Sequence, residues 1–157
     1  MRDLSAYRGG MTRRLLAFAP LLLLAGCHSP ASDPKVREAW VRLPAVAGQP
    51  AAAYFTIQGG RSDKKLVRME SALAARTEMH ASMKGMDGMA TMAPLDHVDL
   101  PAGGMVKFEP GANHAMLIGL DPVVKPGTAV PIRFGFSDGT TTEAEAKTVS
   151  AGEDPPY

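Results

Sequence analysis

The stretch "IRFGFSDGTTTEAEAKTV", Ile132 to Val149, decides the fold class. Asp138 and Gly139 make a turn between two runs of strand length, so the segment reads as a closing hairpin. Upstream the same texture recurs. "REAWVRL" sets Trp40 and other apolar positions among charges, "AAAYFTIQ" is aromatic and β-branched, and "KKLVRME" and "RTEMHASM" follow at intervals that suit turns. Breakers such as "GMDG", "LPAGGM", "EPGANH" and "DPVVKPGT" separate them. No segment after residue 35 sustains a helical period, apart from a turn near "ESALAAR". Many short strands punctuated by Gly and Pro predict an all-β domain, an antiparallel β-sandwich or barrel.

The chain has 157 residues, 45% of them hydrophobic, which suits one globular domain. That domain is expected over residues 35–150, with "SAGEDPPY" leading into a flexible tail at 151–157. Residues 1–26 read as a lipoprotein-type signal peptide. Arg13 and Arg14 form a positive start, and the apolar run Leu15 to Leu24 is too short to span a bilayer. The run ends in "LAGC", which resembles a bacterial lipobox with Cys27 as the acylated residue. Residues 27–34 then form a lipidated tether, polar and proline-bearing. Because His28 is not an aspartate, the lipobox resemblance points to the outer membrane, on the periplasmic side of the envelope.

Cleavage before Cys27 removes Arg2, Arg8, Arg13, Arg14 and Asp3. Basic residues then fall from 17 to 13 and acidic residues from 16 to 15, for a net charge of −2. Such a balance gives no footing for nucleic acid. With one cysteine in the chain, the domain holds together without a disulfide.

The chemistry concentrates in "EMHASMKGMDGMATM", Glu78 to Met92, where five of the ten methionines stand beside His80. In an oxidising compartment thioether sulfur is a safer soft ligand than thiolate, and neutral imidazole binds copper well. Met and His together in an exported, cysteine-poor domain point to Cu(I). Magnesium and calcium want oxygen ligands instead. The second cluster is "HAM": on a strand, His114 and Met116 share a face while Ala115 and Leu117 point the other way.

For the first cluster, a hairpin centred on Met86 makes His80 and Met92 cross-strand partners. The same register pairs Met83 with Met89 on the opposite face, as possible auxiliary metal donors, and a one-residue bulge would swap the faces. Lys84, Gly85, Asp87 and Gly88 do not make a core, so packing is a poor reason for these methionines. Met69 and Met105, by contrast, read as core residues, and His97, in "PLDHVDLP", as a solvated one.

These residues resemble the PCuAC-type periplasmic copper chaperones. The pattern is His80, eleven residues, Met92, twenty-one residues, His114, one residue, Met116. The likeness continues through "AWVR", "AAAYFTI", "SALAARTEMH", "VDLPAGGMVKFEPGANHAMLIGL" and "VVKPGTAVPIRFGF". It implies a cupredoxin-like Greek-key β-sandwich, monomeric, that binds Cu(I) through His80, Met92, His114 and Met116. It also implies a copper acceptor: cytochrome c oxidase subunit II or another assembly chaperone.

Two features depart from the family pattern. Some members carry a His- and Met-rich C-terminal extension whereas this sequence ends in "AGEDPPY", and a lipobox is not general in the family. A lipid anchor restricts diffusion, which raises copper storage or scavenging as the alternative role. Electron transfer fits less well, because blue-copper sites need a Cys and none follows Cys27. Neither a Ser-His-Asp order nor a carboxylate pair stands out, so the sequence reads as a carrier and not an enzyme.

Overall fold

A computed structural model describes residues 33–84 and 89–157. The signal peptide, Cys27 and Met86 lie outside the described residues. The elements are β1 (Lys35–Arg42), β2 (Ala51–Gln58), β3 (Lys64–Glu70), β4 (Ala74–Lys84), β5 (Ala90–Pro94), β6 (Val98–Leu100), β7 (Met105–Phe108), β8 (Asn113–Leu120), β9 (Ala129–Phe136) and β10 (Thr141–Val149). The expected all-β class holds, and the segment near "ESALAAR" is a turn, closed by Ala74 N–H donating to the Ser71 carbonyl at 3.2 Å. The β9–β10 hairpin turns where expected, with Gly139 at φ +84°, a conformation glycine adopts without steric cost.

The strands hydrogen-bond in the order β5-β4-β8-β2-β1-β10-β9-β3-β6, with β7 also pairing β2. Pairing is antiparallel throughout except between β1 and β10, which run parallel. The sheet curls until β3 lies against β4. Phe55, Ile57, Leu66, Met69, Met79, Leu117, Ile132 and Phe134 fill the enclosed core. Phe134 packs edge-on against Phe55, with ring centroids 4.9 Å apart. The inner face of β2 is apolar at Ala51, Ala53, Phe55 and Ile57. Its outer face is covered as well, since Tyr54 packs at a tilt against Trp40, with ring centroids 4.5 Å apart.

Two bulges reset the strand period. In β1 the register shifts between Arg37 and Trp40, with Glu38 at φ +52°, so that Val36 faces the core before the bulge and Ala39 and Val41 after it. In β3 the shift between Leu66 and Arg68 lets both Leu66 and Met69 point inward. Met69 is therefore core, as the sequence suggested. Met105 is not: it sits on β7 opposite Gln58 and is 55% exposed. Lone methionines do not reveal their face without the register of their strand. The residues after β10 make contacts of their own: Arg42 donates to the Glu153 carbonyl, and Lys147 lies over the Tyr157 ring.

One ion pair clamps the closing hairpin to β3. The buried Lys64 Nζ lies 2.7 Å from Asp138 and donates to Thr140 Oγ1 at 2.9 Å. Bonds from Lys64, then from Thr140, hold the Asp138 carboxyl well below its usual range. A group whose folded pKa is depressed adds stability above its unfolded value, and that stability is lost as the pH falls toward the folded one. Asp138→Asn should therefore lower the melting temperature at neutral pH. The difference from wild type should close as the pH drops below the ordinary value of 3.8. Thermal unfolding of both proteins across that range checks it, and a gap that widens in acid would contradict it.

Candidate metal centre

Strand β8 places the site, because it pairs with β4 on one side and β2 on the other. His80 stands directly opposite His114, and Glu78 opposite Met116. Directly paired residues share a sheet face, so His80, Glu78, His114 and Met116 all project outward. Met79, Ala115 and Leu117 point into the core, as the alternation in "HAM" required. Gly119, further along β8, has φ +65°, and a Cβ there would come within 2.8 Å of the Ala75 Cβ. A side chain at that position would push β4 away from β8 and separate the two halves of the site.

The hairpin register differs from the symmetric reading. His80 pairs with Pro94, Ser82 with Met92 and Met83 with Thr91. The strands end at Lys84 and Ala90, so the turn centres one residue later than Met86, and every partner moves by two. A shift of two preserves the face. Met92 is thus a diagonal neighbour of His80 on the same outer face, and it is 61% exposed. Met83 lies on the opposite face, as expected, but it does not stand directly across from Met89. Both are exposed, at 53% and 67%.

The two imidazoles stack, with ring centroids 5.9 Å apart and planes inclined by 23°. Their hydrogen bonds determine which nitrogen each can offer. His114 Nδ1 lies 3.1 Å from the Ala112 carbonyl oxygen, which can only accept, so Nδ1 carries the proton and Nε2 keeps its lone pair. His80 Nε2 lies 3.2 Å from Glu78 Oε2 and donates to it. Its Nδ1 is buried and has no hydrogen-bond partner. A buried polar atom without a partner costs free energy unless a ligand satisfies it. Two lone pairs on stacked rings, beside two thioethers on one face, suit a soft cation that accepts N and S donors.

Glu78 is the residue the sequence reading missed. Arg76 donates to its Oε1 at 2.9 Å; that bond, and then the one from His80, hold the carboxyl below its usual range. The signal was present, since Arg76, Glu78 and His80 alternate along one strand face. On the other flank Ala52 stands opposite Met116 and Arg42 opposite Ala52. The Arg42 guanidinium lies 5.0 Å from the centre of the Trp40 ring. Burial pushes the nearby Tyr54 phenol upward, against the opposing charge of Arg42. His97 is a surface residue beside Lys65 and Asp99.

The family described as "Putative lipoprotein LpqE-like" matches residues 35–148. The chain belongs to this LpqE-like lipoprotein family. The Leifsonia xyli subsp. xyli protein named "Putative lipoprotein Lxx21020" is 28% identical over 143 residues, covering 84% of this chain and 86% of that one. Solved structures agree on the fold. The copper-bound PCuAC domain from PmoF2 superimposes with a TM-score of 0.63 at 19% identity, covering 76% of this chain and 95% of that domain. The Cu(I) form of DR1885 from Deinococcus radiodurans gives a TM-score of 0.53 at 28% identity, covering 79% and 82%. The PCuAC likeness read from the motif is therefore also a likeness of architecture, and this LpqE-like chain carries the PCuAC fold.

Proposed function

We propose that this LpqE-like protein is a copper carrier of the cell envelope. It holds Cu(I) between His80, Met92, His114 and Met116 and passes it on without catalysing a reaction. The observation that carries the reading is the stacked imidazole pair, whose hydrogen bonds leave one nitrogen on each ring bare beside outward-facing thioethers. Soft thioether donors favour Cu(I) over harder divalent ions. Met92, 61% exposed, leaves the site open to an incoming partner's ligands. Similarity to the Cu(I) form of DR1885 supports the same choice of metal.

Acylation of Cys27 would hold the monomer on the periplasmic side of a membrane, the outer one by the lipobox reading. The acceptor is then a copper-site assembly step of cytochrome c oxidase, at subunit II or an intermediate chaperone. Storage or scavenging is the second reading, favoured by membership of a lipoprotein family, since an anchored carrier depends on partners that reach it. Titration with Cu(I) against a competing chelator should show one tightly held equivalent, without the intense visible band of a copper–thiolate bond. Mixing the loaded protein with the soluble copper-site domain of an oxidase subunit II should then transfer the metal. Failure to bind Cu(I) would overturn the reading, and binding without transfer would favour storage.

A further inference from the structure

Hydrogen bonds occupy opposite nitrogens on the two histidines: Nε2 of His80 faces Glu78, and Nδ1 of His114 faces the Ala112 carbonyl. This inference rests on the Cu(I) reading above for the identity of the ligand, but its hydrogen-bonding half does not depend on metal. We propose that Glu78 is a positioning residue that pins the Nε2–H of His80, so that His80 offers Nδ1 to the metal while His114 offers Nε2.

On a β-strand, Glu78 and His80 project from the same side two residues apart, which brings the carboxylate to 3.2 Å from Nε2. An ionised carboxylate only accepts, so the shared proton belongs to the imidazole and Nδ1 is left as the sole lone pair. That Nδ1 is the buried nitrogen without a protein partner. Arg76, which donates to the other carboxylate oxygen at 2.9 Å, keeps Glu78 from rotating away. Across the ladder, His114 is held the opposite way round by a backbone carbonyl, 3.1 Å from its Nδ1. Ligands whose second nitrogen is tied to a carboxylate or carbonyl are fixed in orientation and made more basic, and losing such a partner costs about 10- to 100-fold in metal affinity.

The unequal anchors have a functional consequence. A backbone carbonyl cannot leave its place, whereas Glu78 is a side chain 43% exposed to solvent and open to a partner's approach. His80 is thus the arm that an acceptor can loosen first, with His114 the fixed post.

Nitrogen-15 NMR of the histidine-labelled protein tests this directly. Without metal, His80 should show a hydrogen-bonded Nε2 proton and a bare Nδ1, and His114 the reverse. Silver(I), a closed-shell stand-in for Cu(I), should shift Nδ1 of His80 and Nε2 of His114. Glu78→Ala should erase the His80 Nε2 proton signal, leave His114 unchanged, and weaken Cu(I) binding by about 10- to 100-fold. Glu78→Gln, whose amide oxygen still accepts, should restore most of the signal and the affinity. A silver-induced shift at His80 Nε2, or a Glu78→Ala protein with the proton signal and affinity intact, would overturn the proposal. If the tautomers are as stated but silver moves neither ring, the copper reading fails while the hold of Glu78 on His80 stands.

Discussion

Met92→Ala and His114→Ala are each expected to lower Cu(I) affinity by at least about tenfold, or ~1.4 kcal/mol, with the larger loss at His114. The two residues sit in contrasting surroundings, which separates metal binding from folding. Met92 is 61% exposed on β5, so truncating it removes a thioether and almost no packing. His114 is only 7% exposed and is held by the Ala112 carbonyl, so its loss removes a bare imidazole nitrogen in a fixed position. Competition titrations with a Cu(I) chelator on both variants, alongside circular dichroism to confirm an unchanged β-fold, make the measurement. Wild-type affinity in both variants would mean that the four-residue site is wrong. The auxiliary role proposed for Met83 and Met89 predicts a smaller effect, because register places Met83 on the face away from the two histidines.

Phe134→Ala should destabilise the domain by about 3–5 kcal/mol, the usual cost of deleting an aromatic ring from a packed core. Phe134 is fully buried on β9, edge-on to Phe55, which in turn stacks on Phe108 with centroids 4.3 Å apart. Its removal leaves a cavity between strands that arrive from distant parts of the chain, where local collapse cannot refill the space. Urea unfolding should show a lower midpoint with little change in slope. Met105→Ala is the matched comparison: that side chain is 55% exposed, and its truncation should change stability by less than about 0.5 kcal/mol. A large loss at Met105 and a small one at Phe134 would place the core elsewhere.

The copper prediction and the stability prediction draw on different layers of information. Strand identity was legible because alternation and turn chemistry are local: "AAAYFTIQ" and "KKLVRME" coincide with β2 and β3, and Asp138-Gly139 turns the last hairpin. The face shared by His114 and Met116 was legible for the same reason, since a period of two operates within one strand. Pairing between strands was not. The reading centred on Met86 placed Met92 opposite His80, whereas Met92 pairs with Ser82 and His80 with Pro94. The error was even-numbered and left Met92 on the correct face; an odd one would have sent it to the reverse side. Met105 shows the cost of having no register at all.

By itself, then, the sequence determined the all-β class and the positions of the strands, and it nominated the His and Met residues as candidate donors and Cys27 as the end of a lipobox-like stretch. Each is written in residue type and short-range spacing. Only the tertiary structure decided that His80 and His114 stack across the β4–β8 ladder, that Glu78 and a backbone carbonyl leave opposite nitrogens bare, and that bulges in β1 and β3 turn their apolar residues inward. Those outcomes depend on which strands pair and in what register. Pairing is settled by burying the whole core at once, and no short window of sequence contains that competition.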